Sequence, residues 1–336
     1  TIGIFMNSES EEEDNVINGG ESRMIYTMTL SPALDYIISI ENFNKDTVNR
    51  NEKEEVFVGG KGINVSQVLK NLDIENVALG FVAGFTGEKI ERDLAEYGCF
   101  VDFVHLRQGM SRINIKIKGG SGVLNEKRET EINGMGPTVP QDKLVQLFER
   151  LDQISTNDIL VLAGSAMASL PDDIYVQIIE HLKDKKIRVV LDAEKHLLLQ
   201  VLPYHPFLIK PNRKELAEAC DVKVEDIKTQ EDVIKYAKQL QEIGARNVLV
   251  SLAEDGAVLL LEDGTVYSKK APKGKLVDGV GAGNSMIAGF IAGFMENEDY
   301  QKAFDMALAA GSACAFREGL PTSVDIAKMY DVVKDM

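Results

Sequence analysis

The chain has 336 residues, 44% of them hydrophobic, and a formal net charge of −16 at pH 7. A chain of this length can bury a large core, and so strong a negative charge argues against nucleic acid or an anionic membrane as a partner. No apolar run reaches the roughly 18 residues that a membrane-spanning helix needs.

The three cysteines, Cys99, Cys220 and Cys314, are odd in number and widely spaced. This spacing fits neither a disulfide framework nor a zinc site, and it predicts a reducing, cytoplasmic environment. We interpret each cysteine as a small core residue rather than as a nucleophile.

The first 23 residues differ from the rest of the chain in composition. They hold an acidic run, Glu-Ser-Glu-Glu-Glu-Asp-Asn, followed by a Gly-Gly pair that is typical of a linker. We therefore expect residues 1–23 to be a disordered acidic leader or an artificial extension, and residues 24–336 to form the folded domain.

The first half of the domain alternates between strand and helix periodicity. A Ser-Pro segment over residues 31–35 interrupts the first strand and carries Asp35, and Gly98 stops a helix. The predicted elements are, in order, strand Ile25–Leu30, short strands Tyr36–Ile40 and Glu55–Val58, a helix after Gly62, strand Val77–Val82 and helix Thr86–Tyr97.

Two segments contain strand patterns with no helix between them. One is Tyr36–Val58, and the other holds the predicted strands Phe100–His105, Ile113–Lys118 and Glu129–Ile132. Because a parallel sheet needs helical connections, we predict that residues of about 36–58 and 100–132 form a small inserted β-sheet that acts as a lid.

After Pro140 the alternation of strands and helices becomes regular. Gly244 ends one helix, and Glu262-Asp263-Gly264 predicts a hairpin turn. The predicted elements are strand Ile159–Leu162, helix Pro171–Leu182, strands Arg188–Asp192 and Phe207–Ile209, helices Arg213–Ala219 and Glu231–Ile243, strand Asn247–Leu252, hairpin strands Ala257–Leu261 and Thr265–Ser268, helix Tyr300–Phe316 and a terminal helix from Val324.

This alternation, with near-continuous apolar strands, predicts an α/β fold whose mostly parallel central sheet is covered by helices on both faces. In such sheets, ligands bind beyond the carboxyl ends of the strands. We therefore expect the functional residues to follow the strands directly.

A glycine-rich stretch, Val277–Gly289, opens a helix whose apolar residues recur every four positions. Gly281, Ala282 and Gly283 let the backbone approach a ligand, and the free amides of a helix start attract phosphate or an oxyanion. Alone, this pattern is more typical of a tight turn before a helix than of a ligand site. A second glycine motif, Gly59-Gly60-Lys61-Gly62-Ile63-Asn64, adds weight to the functional interpretation.

The two motifs together resemble the signatures of the ribokinase-like, or PfkB, family of carbohydrate kinases. The resemblance extends from about Met24 to the end of the chain. It implies a three-layer α/β/α fold with a lid, and ATP-dependent phosphorylation of a sugar. The branch that phosphorylates fructose 1-phosphate is most similar, and the branch that phosphorylates tagatose 6-phosphate is a near relative.

One residue of the second family signature departs from the family pattern. The second signature reads D-x-x-G-A-G-D, and in the family its last Asp is the catalytic base. The present chain has Asn284 at that position. An amide is neutral and not basic, so we expect slow phosphorylation.

The resemblance also implies a phosphosugar site. Asp35 and Asn64 would bind sugar hydroxyls, Gly59 and Gly60 would allow close approach, and arginines would hold the phosphate. Taken singly, Asp35 is as typical of a turn as of a sugar site, and each arginine is more typical of an exposed surface than of a phosphate site. The substrate-binding residues that we predict are Asp35, Arg50, Gly59, Gly60, Lys61, Asn64, Arg112, Asn114 and Ser165, with Lys116 as a weaker candidate.

A second set of residues matches the nucleotide end of the family. The N-x-x-E motif gives Asn212 and Glu215, which would hold Mg²⁺ indirectly through water, although Glu215 alone would be typical of any helix start. The turn after Ser251 has Ala253 where the family has glycine. The predicted ATP-binding residues are Lys210, Asn212, Glu215, Ser251, Gly256, Gly283 and Gly311.

Several alternatives remain open at this stage. The substrate is a ketose phosphate, with fructose 1-phosphate ahead of tagatose 6-phosphate. Because of Asn284, the chain is also consistent with a sugar-phosphate-binding pseudokinase, or with an inactivated variant of an active kinase. The resemblance further implies a homodimer formed through the lid.

Overall fold

The computed structural model describes residues 23–44, 46–122 and 129–336. The leader predicted over residues 1–23 lies almost entirely outside the described residues. The strands are β1 (Ile25–Thr29), β2 (Ala33–Phe43), β3 (Lys53–Gly59), β4 (Asn76–Ala83), β5 (Phe100–Leu106), β6 (Arg112–Gly122), β7 (Glu129–Asn133), β8 (Ile159–Ala163), β9 (Arg188–Asp192), β10 (Leu208–Ile209), β11 (Asn247–Ser251), β12 (Ala257–Leu260) and β13 (Val266–Lys269).

Nine of the described strands form the central sheet, in the order β13-β12-β11-β10-β9-β8-β1-β4-β5. The seven strands from β11 to β5 are parallel, and β12 and β13 add an antiparallel hairpin at one edge. Strand β8 is hydrophobic throughout and β11 is hydrophobic between Asn247 and Ser251, because both faces of the sheet are covered. The predicted fold class is confirmed.

Helices pack on both faces of this sheet. One core joins the sheet to α3–α7, and the other joins it to α1 and α8–α10. The helices are α1 (Lys61–Asn71), α2 (Gly84–Tyr97), α3 (Gln141–Leu151), α4 (Ile174–His181), α5 (Lys195–Val201), α6 (Arg213–Ala219), α7 (Gln230–Ile243), α8 (Ala282–Asn297), α9 (Tyr300–Ala315) and α10 (Ser323–Lys334). None of the helices in the described ranges is both long and apolar enough to cross a bilayer.

The second sheet has the order β3-β2-β6-β7, and we refer to it as the lid, the role that the sequence predicts for it. Its base row, Leu34, Val58 and Ile113, packs with α1 and α2. The prediction that Phe100–His105 belongs to the lid is wrong, because β5 pairs in parallel with β4 at the edge of the central sheet. Phe103 and Val104 are buried there, and this burial fixes the strand in the larger sheet.

The structure also extends or adds elements that the sequence pattern did not indicate. Strand β2 begins at Ala33, so the turn is confined to Ser31 and Pro32 and does not include Asp35. Helices α3 and α5 were not predicted, and α4 begins at Ile174 rather than at Pro171.

Candidate active site

A buried carboxylate, Asp192, lies at the edge of the central sheet where the parallel strands end. It is the last residue of β9. Its side chain is only 3% exposed, and it accepts hydrogen bonds from Lys61 Nζ at 3.2 Å and from Asn284 Nδ2 at 3.2 Å. Lys210 Nζ lies 3.7 Å from Asp192 Oδ1. Asp192 therefore joins the two glycine motifs and the nucleotide motif, and sequence reasoning missed it. The only sign of it in the sequence was its position at the end of a buried strand.

The start of α8 is shaped by a glycine in the left-handed region. Gly281 has φ +84° and precedes the first helical residue, Ala282. The Ala282 amide donates to the Gly279 carbonyl at 3.3 Å. This amide is therefore not free for a ligand, although the sequence predicted that it would be. The next amide, of Gly283, lies in the first helical turn, where helix geometry supplies no acceptor. An anion would bind at this amide and at that of Asn284, since both precede the first helical hydrogen bond, from Ser285 to Gly281.

Asn284 stands in the same turn and is 7% exposed. Its Oδ1 accepts a hydrogen bond from Asn64 Nδ2 at 3.4 Å, while its Nδ2 donates to Asp192 Oδ2. The amide is therefore held from both sides, with its oxygen towards α1 and its nitrogen towards β9. The structure brings Asn64, Asn284 and Asp192 into one chain of hydrogen bonds.

On the lid, Asp35 lies within β2 and faces the site. Its Oδ1 accepts from Asn114 Nδ2 at 2.8 Å, and its Oδ2 is 3.4 Å from Lys116 Nζ. A Cβ at Gly59 would come within 2.7 Å of Asp35 Oδ1, so only glycine leaves room for the carboxylate. Lys116 is buried, which makes it a fuller member of the site than the sequence indicated.

A cavity of about 120 Å³ separates the lid from the central sheet. Arg112 contributes to its wall, and burial lowers the pKa of this guanidinium, an effect that Asp35 only partly opposes. Among the described residues, Arg112 Nε and Asn114 Oδ1 are buried without a hydrogen-bond partner. A half-buried guanidinium whose buried Nε has no hydrogen-bond partner favours an anionic ligand. The lining residues are Thr29, Ser31, Gly60, Lys61, Arg112, Ala163, Gly164, Ser165 and Glu194.

Arg50 does not join this cavity. It is exposed in the connection between β2 and β3, at the end of the lid opposite Arg112. Arg112 pairs with Ala33, whereas the connection lies beyond Ser39, which is about 20 Å further along the strand at roughly 3.3 Å per residue. The predicted clamp of Arg50 and Arg112 is therefore not formed within one copy of the chain.

The N-x-x-E motif forms a capping box at the start of α6. Asn212 Oδ1 accepts from the Glu215 amide, and Glu215 Oε2 accepts from the Asn212 amide, both at 2.8 Å. The second carboxylate oxygen, Glu215 Oε1, lies 4.0 Å from Lys61 Nζ. Ser251 forms an isolated bridge with Asn212, which keeps this end of β11 beside the motif.

Lys61 lies between the two halves of the site. Burial alone would lower the pKa of its ammonium group, but attraction to Asp192, Glu215 and Glu194 outweighs burial and raises the pKa. Lys210 is 5% exposed, and a Cβ at Gly283 would come within 3.0 Å of its Nζ. Lys61 and Lys210 together neutralise much of the negative charge of the nearby carboxylates.

Two glycines predicted to approach the nucleotide have packing roles in the structure. A Cβ at Gly311 would come within 2.4 Å of Met286 Cγ, so Gly311 allows α9 to pack closely on α8. A Cβ at Gly256 would come within 2.0 Å of the Lys269 carbonyl oxygen. Ala253 adopts φ +53°, a conformation that suits the glycine of the family pattern better than alanine.

Comparison with known proteins gives a consistent result. The pfkB family carbohydrate kinase profile matches residues 28–327. The chain is 42% identical over 311 residues to 1-phosphofructokinase from Bacillus subtilis, covering 93% of this chain and 99% of the relative. It is 37% identical over 297 residues to D-tagatose-1-phosphate kinase from Bacillus licheniformis, covering 88% and 94%. Phosphofructokinase-2 from Escherichia coli in complex with fructose-6-phosphate superimposes with a TM-score of 0.84 at 26% identity, covering 93% and 100%.

Proposed function

Since this chain belongs to the pfkB family of carbohydrate kinases, we propose that it transfers the γ-phosphoryl group of ATP to the C6 hydroxyl of fructose 1-phosphate. The products would be fructose 1,6-bisphosphate and ADP. The observation that carries the proposal is the buried Arg112 Nε, which has no hydrogen-bond partner, in a cavity that is also lined by Lys61, the partner of Asp192. The names of the relatives support a ketose phosphate as the acceptor.

Binding of the phosphosugar would satisfy the buried groups that lack partners. The phosphate would accept hydrogen bonds from Arg112 and from Lys61, because a guanidinium and an ammonium suit a dianion. Asp35 and Asn114 would bind the ring hydroxyls, and the unpaired Asn114 Oδ1 gives one of them an acceptor. These contacts would leave the free hydroxyl directed at the start of α8.

Phosphoryl transfer then requires positioning and neutralisation of charge. The sugar oxygen forms a bond to the γ-phosphorus and its proton passes to solvent, the bond from that phosphorus to the β,γ-bridging oxygen breaks, and ADP leaves with the electron pair. The Gly283 amide and the α8 dipole would stabilise the transferring group. Lys210, buried beside Gly283, would add a positive charge.

Mg²⁺ fits the acidic side of this site. Glu215 Oε1 is not used by the capping box, and no three acidic, histidine or cysteine side chains converge on a common point in the described ranges. Such a site suits Mg²⁺ held mainly by phosphate oxygens and water, with Glu215 and Asn212 acting through that water. The ion would neutralise the ATP phosphates.

Asn284 leaves the attacking hydroxyl without a general base. Its oxygen could accept a hydrogen bond but cannot retain the proton, and its nitrogen is committed to Asp192. We therefore expect ATP and phosphosugar to bind normally and to react slowly. The same observation supports a second candidate function, that of a phosphosugar-binding protein with negligible turnover.

We further propose a homodimer through the lid. Its outer face carries a row of Val56, Tyr36, Ile115 and Ile132, adjacent in register, and Val56 and Ile132 are 43% and 55% exposed. A second copy of this face would cover the row. In such a dimer, Arg50 at the far end of one lid would be available to the partner's cavity. The free cysteines support a cytoplasmic location.

A panel of ketose phosphates tests the substrate. Fructose 1-phosphate, tagatose 1-phosphate, tagatose 6-phosphate and fructose 6-phosphate should be titrated calorimetrically into the chain. We expect the 1-phosphates to bind most tightly. Tagatose and fructose differ only at C4, so discrimination between them should be small unless Asp35 or Asn114 contacts that hydroxyl. Preferential binding of a 6-phosphate would contradict the proposed substrate.

A further inference from the structure

We propose that the ammonium group of Lys61 moves between the carboxylates of Asp192 and Glu215 and the phosphosugar cavity, so that a divalent metal and the phosphosugar strengthen each other's binding. This inference rests on the proposed function. It assigns to one lysine the coupling between the two halves of the site.

The first argument is the position of Lys61. Its Nζ lies 3.2 Å from Asp192 Oδ1 and 4.0 Å from Glu215 Oε1, while its side chain also lines the 120 Å³ cavity beside Arg112. A cation between two carboxylates occupies the place that a hard divalent ion would favour. The same cation is within reach of the phosphate site.

The second argument is that Lys61 is free to leave. Lys210 contacts the same Asp192 oxygen at 3.7 Å, and its side chain is only 4% exposed, whereas that of Lys61 is 38% exposed. When Lys61 moves away, Asp192 therefore keeps a buried counter-charge. Gly164 lines the same cavity next to the Lys61 side chain. A Cβ at Gly164 would lie 3.7 Å from Lys61 Cβ, so its absence leaves space beside the lysine.

The third argument is electrostatic. A divalent ion near Glu215 would repel the Lys61 ammonium at close range, and a phosphate beside Arg112 would attract it. Each ligand thus favours the Lys61 position that the other requires. By linkage, the factor by which the metal tightens phosphosugar binding must equal the factor by which the phosphosugar tightens metal binding.

The test uses the full chain with Mn²⁺ as the metal probe, measured by the electron paramagnetic resonance signal of free Mn²⁺. Fructose 1-phosphate is the second ligand, and its binding is measured separately by calorimetry. The variants are Lys61→Met, which removes the shared cation, and Lys195→Met, which removes an exposed lysine paired with Asp221. All titrations are run at constant ionic strength.

We expect Lys61→Met to bind Mn²⁺ at least about fivefold more tightly than the unaltered chain, because the competing cation is gone. Fructose 1-phosphate should tighten Mn²⁺ binding by a similar factor in the unaltered chain and in Lys195→Met. It should leave Mn²⁺ binding unchanged in Lys61→Met.

Unchanged or weaker Mn²⁺ binding by a folded Lys61→Met would overturn the proposal. Should that variant not fold, the unaltered chain still decides. If fructose 1-phosphate binds it calorimetrically yet leaves its Mn²⁺ affinity unchanged, the coupling is wrong and the proposed function stands. If no ketose phosphate binds at all, both the proposed function and the coupling are wrong.

Discussion

Arg112 is the residue on which phosphosugar recognition depends most. It is partly desolvated, its Nε has no partner in the described part of the chain, and burial lowers the pKa of the guanidinium. A charged donor in this state is costly to the free protein and gains most from an anionic ligand. The missing partner of Nε is therefore stronger evidence for an anion site than the presence of an arginine alone.

Arg112→Ala should weaken the binding of fructose 1-phosphate and leave ATP binding almost unchanged. Losing a charge-assisted hydrogen bond to a desolvated phosphate costs roughly 1.5–3 kcal/mol, which corresponds to a tenfold to hundredfold loss of affinity. Isothermal titration calorimetry with each ligand measures both values. Arg107→Ala, which removes an exposed arginine just before the same strand, is the control. An equal loss for both ligands would show that Arg112 supports the fold instead.

Asp192 illustrates the limit of sequence reasoning at this scale. Residues within glycine motifs could be predicted because an unusual composition marks them, and Lys61, Asn64 and Asn284 do converge. Asp192 has no motif, and only the three-dimensional convergence of β9 with α1 and α8 identifies it. The predicted clamp of Arg50 and Arg112 is not formed within one chain, because a resemblance of motifs does not show at which end of a strand each arginine lies.

Among the elements, periodicity predicted most of the helices and strands but not which sheet each strand joins. The pattern of β5 is that of a half-buried strand, and such a pattern is the same in the lid and at the edge of the central sheet. Its partner β4 lies across a helix, so the pairing is set by tertiary packing. The register of β2 with β6, which brings Asp35 beside Asn114, was likewise not readable from the sequence.

The terminal helix α10 depends on a capping box. Thr322 and Asp325 cap each other, and the Thr322 hydroxyl and amide lower the pKa of the Asp325 carboxyl. Thr322→Ala should cost about 1 kcal/mol of unfolding free energy at pH 7. Because the Asp325 pKa is depressed in the folded protein, its contribution is present above the ordinary value of 3.8 and is lost as the pH falls through the folded pKa.

Urea unfolding of Thr322→Ala at pH 7 and at acid pH measures this effect, and the difference from the unaltered chain should narrow in acid. Thr138→Ala, an exposed threonine that lies outside every helix, is the matched control. A loss that is equal at both pH values would argue against the capping box.

For the whole molecule, we propose that the lid governs both access to the site and assembly. Its polar face carries Asp35, Asn114 and Lys116 together with Arg112, which lines the cavity. Lys118 reaches across to Asp278, before α8, at 3.4 Å. On the opposite face, the row of Val56, Tyr36, Ile115 and Ile132 lies beyond the base row that packs on α1 and α2. A sheet with one face on its own site and the other on a second copy would link dimerisation to closure of the site.

Val56→Glu should convert the dimer to a folded monomer, because a carboxylate would be buried within the apolar row. Light scattering coupled to size-exclusion chromatography measures the mass. Val145→Glu changes an equally exposed valine, at 49% against 43%, on helix α3, and it should leave the mass unchanged. A monomeric unaltered chain, or a Val56→Glu dimer, would contradict the proposed interface.

The central claim is that this molecule is a complete ketose-phosphate kinase site that lacks only its base. It is tested most directly by the rate of ADP release with MgATP and fructose 1-phosphate, compared between this chain and Asn284→Asp, with mass spectrometry to exclude deamidated Asn284. A positioned base contributes roughly 10²–10⁴-fold, so we predict that kcat rises by at least about 100-fold while phosphosugar affinity changes little. Equal turnover by the two proteins, or no turnover by Asn284→Asp, would contradict the account.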